Sequence, residues 1–168
     1  MEEAQKREIL EKAKKVFFEA MLDGYAGGEN RRSVKVWDED GYKTITYTTE
    51  DGKYKVVDRY CETPLSDKSC GTTTIFFRTG LIWSAVWWMS YWGRYPKDII
   101  PFLKSCLRSA YERGEFVGGR GPYAVSENNT EYLNFPRGSF SDFVGHESIS
   151  PDFKDPLGSH KYSGMSML

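Results

Sequence analysis

The run Leu81-Ile-Trp-Ser-Ala-Val-Trp-Trp-Met-Ser-Tyr-Trp92 restricts the fold more than any other stretch of this chain. It is rich in aromatic and branched residues and free of Gly and Pro, which suits a strand. With a side-chain period of two, Trp83, Ala85, Trp87, Met89 and Tyr91 share one face. Ile82, Ser84, Val86, Trp88, Ser90 and Trp92 share the other. Both faces are bulky, so the strand is expected to be central and covered on both sides, by helices on one and by a closed-over groove on the other. Each buried aromatic removes roughly 150–250 Å² from water, so this strand alone could found a core. At 12 residues the run is too short to cross a bilayer as a helix.

The flanking sequence supplies the partners. From about Glu3 to Asp23, Ile9, Ala13, Val16, Phe17, Ala20 and Met21 recur at helical spacing as one apolar stripe. Gly24 suits its C-cap, and Gly27-Gly28 opens a loop. The period then changes to two. Residues 44–49 and 54–60 read as strands around Asp51-Gly52, a hairpin signal, and Val34 to Trp37 reads as a further short strand. Residues 72–77 and 81–92 form a second pair. A second helix spans 98–113, with Asp98 as N-cap, Pro101 in its first turn and Gly114 at its end. Short strands follow at 123–126 and 131–135, turned at Asn128-Asn129. The expected fold is α+β: a curved, mainly antiparallel sheet of two related hairpin units, packed by the N-terminal and middle helices.

The two units are half-repeats in one domain, about 54–93 and 123–164, joined by helix 98–113. Gly71-Thr-Thr-Thr-Ile75 … Tyr91-Trp-Gly93 parallels Gly145-His-Glu-Ser-Ile149 … Tyr162-Ser-Gly164. Each unit is expected to be a strand, a loop and a long hairpin, with the length difference absorbed in the hairpin turn.

Residues 54–60 (Tyr-Lys-Val-Val-Asp-Arg-Tyr), Met89-Ser-Tyr-Trp-Gly-Arg94, Gly118-Gly-Arg-Gly-Pro-Tyr123 and Phe143-Val-Gly-His-Glu-Ser-Ile149 resemble a bacterial and archaeal family of domains of unassigned function. The resemblance runs from about Ala13 to Gly164. It implies a domain that occurs alone or behind a repressor-type helix-turn-helix, and it carries no activity over. It also implies Gly-x-Glu in both units. The second has Gly145-His146-Glu147, but the first has Gly71-Thr72-Thr73, which argues against a symmetric two-carboxylate mechanism. Before Ala13 there is no length for a helix-turn-helix, so regulation through DNA would need another protein.

Composition narrows the partners. The net charge is -1, with 23 Lys and Arg against 24 Asp and Glu, so gripping a phosphate backbone is disfavoured. The N-terminus has no apolar signal region, and Cys61, Cys70 and Cys106 lack metal-ligand spacing. A cytoplasmic location with reduced thiols, no membrane partner, no cofactor and no metal is expected. The Gly118–Pro122 loop follows a helix C-terminus and lacks the Gly-Lys-Ser/Thr ending of a phosphate-binding loop.

The aromatic content, 15%, is the strongest functional signal. Small-molecule sites are mostly apolar pockets with a few convergent polar groups. The residues expected to line one are Arg59, Tyr60, Trp87, Tyr91, Arg94, Arg120, Tyr123 and Glu147. The function expected is a non-catalytic small-molecule or effector-binding module. One alternative is a small enzyme with Glu147 and His146 as acid and base and Arg59 or Arg120 holding an anion. Another is an interaction domain that self-associates into a homo-oligomer.

Overall fold

The computed structural model describes residues 1–24, 32–151 and 155–168. The loop expected at Gly27-Gly28 lies outside them. Helix α1 (Glu3–Gly24) is followed by a meander of five strands: β1 (Val34–Trp37), β2 (Tyr42–Thr48), β3 (Tyr54–Glu62), β4 (Lys68–Thr79) and β5 (Ile82–Arg94). A short 3-10 turn at Lys97–Ile99 leads into helix α2 (Ile100–Arg113). A second meander then runs through β6 (Ala124–Glu127), β7 (Thr130–Ser139), β8 (Asp142–Pro151) and β9 (Gly158–Ser166). All nine strands form one open antiparallel sheet in the order β1-β2-β3-β4-β5-β9-β8-β7-β6. The fold is α+β, and β5 lies at the centre of the sheet, paired with β4 and β9.

Local signals explain most of these elements. The stripe of α1 buries Ile9, Ala13, Val16, Phe17 and Ala20, and Phe18 joins it. Both central residues of the β6–β7 turn, Asn128 and Asn129, have positive φ (48° and 59°), as a two-residue hairpin turn matched to the sheet twist requires. Gly114 closes α2 in the left-handed region at φ 64°. The start of α2 differs from expectation. Asp98 falls in the 3-10 turn, and Ile99 is the N-cap without a side-chain hydrogen bond. Pro101, in the first turn, has no N–H to satisfy.

The central strand departs from strict alternation. Ile75 pairs with Trp87 and Phe76 with Ala85, so Val86 is an extra residue in a β-bulge. The bulge separates Trp83 from Trp87. Trp87 is fully buried under the helices. Trp83 lies on the other face, beneath the Lys55 ammonium and the Arg78 guanidinium. Nor do the described residues cover that other face. Among the described residues no helix lies over it, and Trp92, Phe135, Val144 and Met165 are exposed there. The core is therefore one layer, the helix-side face of the sheet against α1 and α2.

The two meanders also distribute their turns differently. In the first, the tight turn joins β4 to β5 and the longer loop joins β3 to β4. In the second, the tight turn joins β7 to β8 and the longer connection precedes β9. Between its glycine and its tyrosine the first unit has longer strands and a shorter connection than the second, so its extra residues sit in the strands rather than in the hairpin turn.

Candidate functional site

The centre of the sheet is built on two tyrosines crossing two glycines. Tyr91 and Tyr162 are register partners across β5 and β9. On its other side Tyr91 faces Gly71 and Tyr162 faces Gly145. A Cβ at Gly71 would stand 2.6 Å from the Tyr91 ring, and one at Gly145 would stand 2.4 Å from the Tyr162 hydroxyl. The missing side chains let each ring lie flat across its neighbour strand and reach the next. The Tyr91 hydroxyl donates to Asp58 Oδ1 at 2.9 Å, and the Tyr162 hydroxyl donates to Asn134 Oδ1 at 2.6 Å. The same contact is built twice, once on an acid and once on an amide.

Over Asn134 the space is filled by protein. Its amide donates to Val117 O at 3.0 Å and to Gly121 O at 2.8 Å, and Gly118 packs against Tyr162. The loop from Val117 to Gly121 thereby folds back over the second meander and turns Arg120 inward. The Arg120 guanidinium donates to Glu147 Oε1 through Nε (3.1 Å) and Nη2 (2.5 Å). The Tyr132 hydroxyl donates to Glu147 Oε2 at 2.5 Å and accepts from the Gly121 N–H at 2.9 Å. Glu147 is fully buried. Burial alone would push its pKa up, but the Arg120 charge and hydrogen bonds, with His160 and Tyr132, outweigh that and hold it below the ordinary value. His160 lies across from Glu147 in the β8–β9 register, its Nδ1 3.9 Å from Oε1. Burial, reinforced by Arg120, pushes His160 down to about 4, so its ring is neutral at pH 7. Its Nε2 lies 3.2 Å from Ser69 Oγ, and Tyr95 packs on it with ring centroids 4.6 Å apart. The Tyr95 hydroxyl and His160 Nδ1 are both buried, and among the described residues neither has a hydrogen-bond partner.

Over Asp58 the space is a cavity of about 160 Å³. Phe17 and Met21 of α1, Leu103, Leu107 and Tyr111 of α2, and Met89, Tyr60 and Tyr91 of the sheet supply its apolar and aromatic walls. Asp58, Thr73, Arg120, His160 and Tyr95 supply polar ones. Glu62, Thr63, Ser66, Asp67, Lys68 and Ser69, with Lys97 and Lys104, form the rim. A cavity of roughly 150 Å³ accommodates one benzene ring. Asp58 is buried, and its Oδ1 accepts from Thr73 (2.8 Å) and from Tyr91. No described protein group donates to Oδ2 or pairs ionically with this carboxylate. Burial raises its pKa, and the bonds from Thr73 and Tyr91 and the charge of Arg120 do not offset that.

Of the residues expected from sequence, Tyr60, Tyr91 and Arg120 line this cavity. Glu147 lies beneath it, holding Arg120. Trp87 is core: it donates its indole N–H to Phe140 O at 2.7 Å and stacks on Phe140 and Phe143. Arg59 follows Asp58 on the strand and so points to the open face, over Tyr42 and 2.8 Å from Asp38. Arg94 is exposed beside the rim, 4.0 Å from Asp67, and Tyr123 is exposed in the loop before β6. His146 and Glu147 are likewise adjacent and point to opposite faces. His146 stacks on Phe135, so the acid–base pair expected of these two residues is not assembled. The residues missed were Asp58, Tyr95 and His160. Period two counted from Tyr60 does place Asp58 inside; His160 needed the β8–β9 register.

An open antiparallel sheet with one helical layer and a buried, half-satisfied polar cluster defines the molecule. Comparison with family models, with curated proteins and with solved structures finds no match. Among the described residues no group of three His, Cys, Asp or Glu could hold a metal ion, and no helix is long and apolar enough to cross a membrane.

Proposed function

We propose that this chain is a cytoplasmic binding module for a small molecule, with no chemistry of its own. The carrying observation is the cavity between α1, α2 and the sheet, walled by aromatics and ending on Asp58, Tyr95 and His160. A buried polar group without a partner costs about 1–3 kcal/mol. Two such atoms, with an uncompensated carboxylate beside them, are a standing cost that a bound ligand would remove. The family resemblance adds a setting, an effector module working alongside a DNA-binding unit.

A thermal-shift screen against metabolites and nucleotides tests the reading, with Asp58→Asn as the control. A ligand at 100 times its Kd adds about 2.7 kcal/mol. For a domain of this size that is a rise of roughly 5–11 °C. A hit that Asp58→Asn weakens supports the module. Hits insensitive to any cavity residue refute it. The open sheet face supports a second reading, association of two copies through Trp92, Phe135, Val144 and Met165. A concentration-independent monomer in light scattering would dismiss it.

A further inference from the structure

The two meanders pose a comparison that identifies the ligand's chemistry. Asn134 and Asp58 receive the same tyrosine hydroxyl bond, so the fold needs only an acceptor oxygen at this place. In the second meander the remaining polar atom is an NH₂ group, and the loop offers it two carbonyl acceptors. In the first, the remaining polar atom is a carboxylate oxygen facing a cavity. A donor filling that cavity would satisfy this oxygen in its charged form, which burial otherwise disfavours. Two neighbouring groups agree. The Tyr95 hydroxyl has lone pairs and no partner. Where Ser69 Oγ accepts from the Nε2–H of neutral His160, Nδ1 is left as a bare acceptor. The charges agree as well. Arg120 is already matched by Glu147, so Asp58 is the surplus charge of the cluster. Phe17, Tyr91 and Met89 supply the polarizable surface that an organic cation prefers.

Resting on the binding-module reading above, we propose that the cavity takes a compact protonated amine, one ring in size, whose ammonium donates to Asp58 Oδ2, Tyr95 Oη and His160 Nδ1. Isothermal titration of the full chain at pH 7 with benzylamine, benzyl alcohol and benzoate tests it, since the three probes share a shape and differ in charge. Benzylamine is expected to bind at least tenfold tighter than benzyl alcohol, with benzoate weakest. In Asp58→Asn the gap between amine and alcohol should shrink below twofold. Alcohol or benzoate binding as tightly as the amine overturns the amine while leaving the pocket standing. No saturable binding by any probe overturns both. The ranking on the native chain decides the class even where the variant fails to fold.

A separate observation concerns Cys61 and Cys70. They are register partners on β3 and β4, on the open face, as free thiols in hydrogen-bond contact with sulfurs 3.5 Å apart. The loop between them carries Thr63, Ser66 and Asp67 of the cavity rim. We infer that this pair closes reversibly by exchange with a low-molecular-weight disulfide. One thiolate attacks the external disulfide, and the second displaces it. Two protein thiols and one external disulfide become one protein disulfide and two external thiols, which carry off both protons. Incubation with oxidised glutathione followed by mass mapping should give one linked Cys61–Cys70 peptide, reversed by dithiothreitol. Buried Cys106 should stay unmodified. Stable glutathione adducts on Cys61 or Cys70, an interchain link, or no reaction would each overturn it.

Discussion

Glu147→Gln is the sharpest test of the polar cluster. The substitution keeps the volume of a fully buried side chain, removes its charge and turns one of its two acceptor oxygens into a donor NH₂. Arg120, itself almost entirely buried, then loses the sole carboxylate within ion-pair distance among the described residues. Breaking a buried pair by neutralising one partner costs about 3–5 kcal/mol, because the other charge stays buried and unmatched. In a domain of this size each kcal/mol lowers the melting temperature by about 2–4 °C, so the expected drop is roughly 6–20 °C. Arg120→Met should cost a similar amount for the mirror reason. The double variant buries neither charge, and its loss should fall well short of the sum, with several kcal/mol of coupling. Urea denaturation at pH 7 of all four proteins measures the cycle. Acid denaturation adds an independent reading. The folded pKa of Glu147 lies below its unfolded value, so the residue stabilises above about pH 4.5, and that contribution is lost as pH falls through the folded pKa. Glu147→Gln should flatten this limb. A cost below 1 kcal/mol, or strict additivity in the double variant, would refute the account of Arg120 and Glu147 as a coupled buried pair.

Three further outcomes are expected. His160 titrates at about 4 when folded and near 6.5 when unfolded, so it favours the fold fully above pH 6.5 and loses about 3 kcal/mol as pH falls to about 4; His160→Gln should remove that slope from urea midpoints taken across the range, and an unchanged slope would assign it elsewhere. Asp58→Asn should melt higher than the native chain at pH 7, because burial has raised the pKa of this carboxylate, and its advantage should vanish towards pH 3; a lower melting temperature at pH 7 would show that the charge stabilises the fold. Gly145→Ala and Gly71→Ala should each cost about 1–3 kcal/mol by overpacking, since the new Cβ meets the Tyr162 ring and the Phe135 carbonyl oxygen at the first and the Tyr91 ring and the Tyr60 Cβ at the second; Gly71→Ala should also weaken ligand binding, and a neutral effect of either on urea midpoints would contradict the close packing.

Much of the fold was legible in the sequence because it follows from local periods. The α1 stripe from Ile9 to Ala20 is a helical repeat that any apolar surface would bury. The Asp51-Gly52 and Asn128-Asn129 turns have backbone preferences of their own. Tyr60, Tyr91 and Arg120 could be placed at a pocket because aromatics and an inward arginine on a glycine-rich loop are readable as types. Arg59 and His146 were misplaced where composition outweighed period: each neighbours a buried acid, and a strand sends neighbours to opposite faces. The single-residue bulge at Val86 put Trp83 and Trp87 on different sides, and no local signal marks it.

The sequence by itself determined the elements, the paired glycine and tyrosine in each unit, and the aromatic payload, because these depend on nearest neighbours along the chain. Only the tertiary structure decided that Tyr91 reaches Asp58 across Gly71, that Glu147 faces His160, and that the Val117–Gly121 loop fills one half and leaves the other hollow. Those contacts join residues 13 to 33 positions apart and depend on register and on which face a strand turns inward, which are properties of the assembled sheet.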